Sequence, residues 1–349
     1  APTRKAIAEG RAEYTPSFIS EIPGLFLSGK IPLDVAMITV TPPDNHGFCS
    51  LGISIDYTIQ AARAAKTVIA QVNPNMPRTY GDTLLHISEI DCFVPAEAPL
   101  IVLEPPVITP VEQQIGMNVA PLIEDGATLQ LGIGSIPDAI LGFLHEKHDL
   151  GVHTELFSDG VRGLVESGVI NGKRKTLHPG KVVANFVMGT PQLYDWMHEN
   201  AAIHLYPEDY VNDPFVIAQN YKMTAINSAL QVDVLGQVAA DTLGPLQFSG
   251  VGGQVDFVRG AARSPGGKSI IAFPATAQKG QASRIVSVLT RGSAVTTSRH
   301  DVEYVVTEYG IAALKTKTVK QRIEALVNIA HPDFRAEIRN DTLRTYFAL

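Results

Sequence analysis

Short apolar runs rich in β-branched residues recur along the chain, and stretches of helical length separate them. This alternation constrains the fold more than any other feature, because it calls for α/β layers around a largely parallel sheet. Residues 34–40 (DVAMITV), 67–72 (TVIAQV), 92–95, 100–103, 128–132, 181–187, 201–205, 225–234, 269–273, 294–297 and 302–307 read as buried strands. Residues 54–65, 111–123, 136–145 and 321–329 read as helices; the third opens at Pro137, where a first turn tolerates proline, and the fourth closes the chain. Residues 104–110 (EPPVITP) place three prolines in seven positions, which sustain neither a helix nor a central strand. They are expected to link a domain of residues 1–108 to a domain of residues 109–349. A weak internal echo supports two units: Asp34 and Val35, Leu51 and Gly52, KTVIA, then Asp91, answered by Asp233 and Val234, Leu243 and Gly244, KSIIA, then Asp301. Two similar open α/β domains are therefore predicted, with a site in the crevice beyond the carboxyl ends of the strands.

Composition narrows the function. Of 349 residues, 45% are hydrophobic and 18% charged, which argues for packed cores rather than disorder. A net charge of −7, from 28 basic and 35 acidic residues, argues against a nucleic-acid partner, which needs clustered Lys and Arg. The two cysteines, Cys49 and Cys92, make no disulfide framework and fit a reducing, cytoplasmic setting. No run approaches the ~18 apolar residues of a membrane helix, and no signal peptide opens the chain, so no membrane partner is expected.

Three segments carry candidate chemistry. In LQLGIGSIPDAIL, residues 129–141, a strand runs through GxG into a helix, so the backbone can approach a ligand; a plain strand–helix turn fits equally. Proline stands where a dinucleotide fingerprint wants its third glycine, which disfavours that cofactor. In VHTELFSDGVRGLVESG, residues 152–168, Glu155 ends a strand ahead of a helix beginning near Ser158 or Asp159. A partly desolvated carboxylate there suits a nucleophile or base; an exposed strand-end glutamate is the competing reading. In FSGVGGQVDFVRGA, residues 248–261, Gly250, Gly252 and Gly253 form a loop whose N–H groups could converge on an oxyanion. Lys279 in QKGQ could meet a phosphate or simply stay solvated, and His145 and His148 fit a solvated helix end better than a metal site.

GIGSIPDAIL, HTELFSDGV, SGVGGQVDFVRGA and TSRHDVEYVVTEYGIA, in this order, closely resemble the acetyl-CoA hydrolase/transferase family, and within it the 4-hydroxybutyrate CoA-transferases. The resemblance runs from about Asp34 to Phe334. It implies two α/β domains of the CoA-transferase kind, with the start of the first lying ahead of this sequence. It also implies that Glu155 is the catalytic glutamate. By the same likeness Gly252 and Gly253 are the oxyanion loop, Gly132, Ile133, Gly134, Ser135 and Ile136 contact CoA together with Gly253, Lys279 meets the CoA phosphates, and Asn212 lies near the substrate carboxylate.

The implied activity is movement of CoA between an acyl-CoA, acetyl-CoA foremost, and a short-chain carboxylate such as 4-hydroxybutyrate or butyrate. It would proceed through an acyl–glutamyl anhydride and a glutamyl–CoA thioester. Coenzyme A is then a substrate; no metal or tightly bound cofactor is expected, and a homo-oligomer is. Two alternatives stand beside it. One is an acetyl-CoA hydrolase using the same glutamate with water as acceptor. The other is a non-enzymatic metabolite sensor on a related scaffold.

Overall fold

The computed structural model describes residues 2–347. Strands Val35–Val40, Thr67–Val72 and Cys92–Pro95 pair in parallel in that order, as crossover connections demand. The expectation of fully buried strands fails here. Ala36, Ile38 and Val40 are buried while Val35 and Met37 face out, the alternation of a sheet covered on one face. Cys92–Pro95, at the edge, is exposed along its length.

A nine-stranded sheet forms the body of the molecule. Its order is Gly310–Ala313, Tyr304–Thr307, Lys268–Ala272, Met223–Asn227, Thr128–Gln130, Gly151–His153, Val182–Ala184, Ile203–Leu205 and Tyr80–Gly81. All neighbours are parallel except the edge strand Gly310–Ala313. The central strands read as continuous apolar runs because helices cover both faces: every residue of Thr128–Gln130, Gly151–His153 and Val182–Ala184 is buried. From Thr128–Gln130 the chain winds one way to Ile203–Leu205. It then returns to set Met223–Asn227 on the other side of Thr128–Gln130 and winds outward again. The crevice between these two strands is the switch point at which a doubly wound sheet opens a ligand site.

Several expectations need correction. Residues 100–103 form no strand: the Ile101 carbonyl accepts from the Tyr194 hydroxyl and the Leu103 N–H donates to Gly189, so their backbone groups are satisfied outside any ladder. Residues 294–297 contribute one bridge, Thr297 to Val238. The run 225–234 divides into Met223–Asn227 and Gln231–Asp233, and 181–187 breaks at Asn185 into Val182–Ala184 and Phe186–Val187. The helix placed at Pro137 starts two residues earlier, as Ser135–Leu141. Helix Val319–Ile329 does not end the chain; Pro332–Tyr346 follows, a largely polar helix that buries Ile338 and Thr342 and shows too little apolar periodicity to be read.

Candidate active site

A cleft of about 380 Å³ opens at the carboxyl ends of Thr128–Gln130 and Met223–Asn227. Gln130, Leu131, Gly132 and Ile133 form one wall, Asn227 to Leu230 the opposite one, and Ser249 to Gln254 the rim. Glu155 lies on its floor.

The chain fixes Glu155 from both sides. It occupies the bend after Gly151–His153, and Leu156–Phe157 pairs with Phe186–Val187 directly beyond. Its carbonyl accepts from the N–H groups of Asn185 and Phe186. Thr154, one residue earlier, donates its hydroxyl to the Leu131 carbonyl at 2.8 Å and so ties the bend to the GxG loop. Oε2 accepts from Asn212 Nδ2 at 3.0 Å, and the Gly253 N–H donates to the same carboxylate. Desolvation raises the Glu155 pKa; the Asn212 and Gly253 donors oppose that rise and the Asp56 charge adds to it.

The glycine loop is shaped by the glutamate. A Cβ on Gly253 would be driven into Glu155 Oε2 and Asn212 Nδ2, so glycine here lets both side-chain ends keep their places. Gly252 adopts φ +59°, the left-handed turn that feeds helix Gln254–Arg263.

The predicted residues separate into those the structure gathers and those it does not. Glu155, Gly252, Gly253, Gly132 and Ile133 line the cleft, and Asn212 is buried against Glu155 itself. Gly134 faces an adjoining hollow of about 340 Å³ shared with Ile133 and the proline-rich segment. Ser135 opens its helix and points to Glu112, while Ile136 packs against the core. Lys279 stands apart on an exposed turn between Thr276–Ala277 and Ala282–Ser283, at φ +57°.

Sequence reasoning missed four groups. Arg284, on the strand-turn after Lys279, brings a guanidinium to the cleft wall and donates to the Ala229 carbonyl. Asn185 donates Nδ2 to Asn212 Oδ1 at 3.2 Å. Glu208 and Asp256 are buried carboxyls beside Glu155; burial first, then neighbouring acids, push them up to about 9 and about 7. A lone Arg or Asn carries no local signal. The usable clue was that Asp256 interrupts an apolar run, QVDFV; Glu208, in YPEDYVND, gave none.

Comparison with known proteins identifies the family. The acetyl-CoA hydrolase/transferase N-terminal domain matches residues 1–105 and the C-terminal domain matches residues 189–342. The chain is 58% identical over 339 residues to 4-hydroxybutyrate coenzyme A transferase of Clostridium kluyveri, covering 97% of this chain and 79% of that one. It is 48% identical to succinyl-CoA:cyclohexane-1-carboxylate CoA transferase of Geobacter metallireducens, covering 96% and 77%. The crystal structure of 4-hydroxybutyrate CoA-transferase from Porphyromonas gingivalis superposes with a TM-score of 0.85 at 46% identity, covering 97% of this chain and 82% of that one. The chain belongs to the acetyl-CoA hydrolase/transferase family of enzymes.

Proposed function

We propose that the protein is a CoA-transferase that moves CoA from an acyl-CoA, acetyl-CoA among them, to a short-chain carboxylate such as 4-hydroxybutyrate or butyrate, with Glu155 as covalent carrier. The observation that carries this reading is a desolvated glutamate on the floor of the switch-point cleft, beneath a glycine loop whose backbone reaches its carboxylate.

A Glu155 oxygen attacks the thioester carbonyl; the C–O bond forms, the C–S bond breaks, and CoA leaves as thiolate, giving an acyl–glutamyl anhydride. The thiolate attacks the glutamyl carbonyl of the anhydride, and the first carboxylate departs with its electron pair. An incoming carboxylate attacks the resulting glutamyl–CoA thioester, and the steps run in reverse to a new acyl-CoA. Anhydride and thioester are both activated, so the exchange needs neither water nor a phosphate donor. Each tetrahedral state bears an oxyanion, and one well-placed donor in such a hole is worth about 3–4 kcal/mol. Gly252 and Gly253 supply the nearest backbone to that position. Arg284 gives the cleft a cation for a carboxylate or phosphate, a role in which it sits better than Lys279.

Relatives with about half their residues in common act on different acids, so the acyl preference belongs to the cleft walls. The reading retains residues 1–108 and 109–349 as the two domains, a homo-oligomer, and a cytoplasmic setting. No helix among the described residues is long and apolar enough to cross a membrane, and Cys49 and Cys92 are free.

Incubation with acyl-CoA followed by borohydride or hydroxylamine should label Glu155 and no other carboxyl; a label elsewhere overturns the assignment. CoA release should depend on added carboxylate. Release at the same rate without it would identify a hydrolase instead.

A further inference from the structure

Glu208 opens the short helix Glu208–Val211, whose C-cap is Asn212, the donor to Glu155. It is 1% exposed, and its Oε1 has no hydrogen-bond partner. Its N–H donates to the Asp56 carbonyl and its own carbonyl accepts from the Asn212 N–H, which fixes it between the two. The Asn185 side chain lies close enough to influence the Glu208 carboxyl and donates Nδ2 to Asn212 Oδ1. Glu208 therefore adjoins the hydrogen-bonded pair Asn185 and Asn212 that reaches Glu155.

The groups facing this carboxyl are nearly all acidic. Glu155 comes from the cleft floor, Asp56 and Tyr57 from the loop ahead of helix Thr58–Ala64, and Asp256 from helix Gln254–Arg263. Glu21 comes from the turn packed on the same short helix, and Asp209 follows within it. Among the described residues no salt bridge reaches Glu155, Glu208 or Asp256. Like charges in a desolvated cluster cannot all ionise. An ionised Glu208 would leave a buried carboxylate oxygen without a donor. Asn185 Oδ1, also buried, lacks one too. A proton on Glu208 provides a donor where these acceptor-rich side chains have none.

We propose that Glu208 is a positioning residue for the transfer reaction: its buried carboxyl stays uncharged, keeps a further negative charge from arising behind Glu155, and, packed beside Asn185 and Asn212, holds the Asn212 amide on Oε2. The inference rests on the reading of Glu155 as covalent carrier. Burial and the neighbouring acids place the Glu208 ionisation at about 9. Above that pH a further charge arises behind Glu155, opposes the oxyanions of the reaction, and slows turnover.

The test is the pH profile of kcat/KM between about pH 6 and about pH 10 for the wild type and Glu208→Gln, with folding checked by thermal melting. The amide of glutamine reproduces a neutral carboxyl. Glu208→Gln is expected to keep activity at neutral pH within about threefold and to lack the alkaline fall. An alkaline limb unchanged from wild type, or a loss beyond about tenfold at neutral pH in a folded variant, overturns the proposal. Should that variant fail to fold, infrared spectra of wild-type protein carrying isotope-labelled glutamate decide. A neutral-acid C=O band that disappears near pH 9 supports the proposal, and its absence at neutral pH overturns it. Thioester trapping on the same wild-type preparation separates the two readings. No label on Glu155 overturns the covalent-carrier reading, whereas a label on Glu155 with an unchanged alkaline limb in Glu208→Gln overturns the role of Glu208 alone.

Discussion

Glu155 must be ionised to attack and desolvated to attack well, and its surroundings serve both needs. Burial raises its pKa, while Asn212 and Gly253 donate enough to keep the anion accessible. Because the reactive form is the anion, kcat/KM should fall as pH drops, with a midpoint above the ordinary glutamate value of ~4.3. A midpoint at or below that value would contradict the desolvated site. Glu155→Gln keeps the shape and the Asn212 contact but removes the nucleophile. It should lower turnover at least about 10³-fold without loss of fold, as full progress curves and melting would show. Gly253→Ala is the sharper probe of geometry. The added methyl collides with both Glu155 Oε2 and Asn212 Nδ2, so the carboxylate must move. A displacement near 1 Å at reacting atoms costs about 10²-fold. A Gly253→Ala variant with wild-type kcat/KM would mean that the loop does not set the position of Glu155.

Elements place these residues through close backbone approach. Helix Pro110–Val119 lies across helix Ser135–Leu141, and Gly116 is the point of contact: a Cβ there would stand 2.9 Å from the Ala139 carbonyl oxygen. Backbone cannot rotate aside as a side chain can. Gly116→Ala should therefore destabilise, by about 1–3 kcal/mol of overpacking, although alanine gains about 1 kcal/mol of helix propensity. Urea melts that showed a more stable variant would refute the contact. The same helix pair carries the GxG loop, and here the sequence was informative. A strand, two glycines and a proline in the first turn announce a backbone-lined wall, and Glu155 ahead of SDG announces a strand-end carboxylate. The break at Asn185 was not legible, because VVANFV is apolar but for that one asparagine, and the tertiary bonds from Ile55 and Asp56 to the Asn185 carbonyl interrupt the ladder. Glu208 was obscured for a related reason, and Asn212 was named only through the family likeness. The partners of Asn212 lie 57 positions away for the Glu155 contact and 27 for the Asn185 contact, beyond any local spacing rule.

The molecule as a whole should show an unusual dependence of stability on pH, because its buried titrating groups are mostly acids held neutral. Glu208 is raised to about 9 and Asp256 to about 7, against unfolded values of ~4.3 and ~3.9. The folded state therefore binds more protons than the unfolded state over those intervals, and stability falls as pH rises, by up to ~1.4 kcal/mol per unit for each group. Asp138, Asp209 and Asp233, also raised by burial, act in the same sense. His153 opposes them. Fully buried, with Nε2–H donating to the Val211 carbonyl and Nδ1 unpartnered, it is lowered to about 3, so stability rises with pH up to the unfolded value of ~6.5. Lys175, whose ammonium is buried between the carbonyls of Val152 and Lys181, is lowered to about 7 and raises stability only above that pH. Glu124, held to about 2 by Lys222 and Lys268, has its window at more acid pH and is nearly exposed, so screening leaves it little weight. The acids prevail between about pH 5 and about pH 7, and Lys175 offsets Glu208 from there to about pH 9. Thermal melts of the wild type should fall across the first interval and level off across the second. Glu208→Gln removes one downward slope, so its advantage over wild type should widen steadily from about pH 5 to about pH 9. Parallel curves for the two proteins would show that Glu208 ionises at an ordinary pH, and with that the uncharged carboxyl assigned to the wall behind Glu155 would have to be given up.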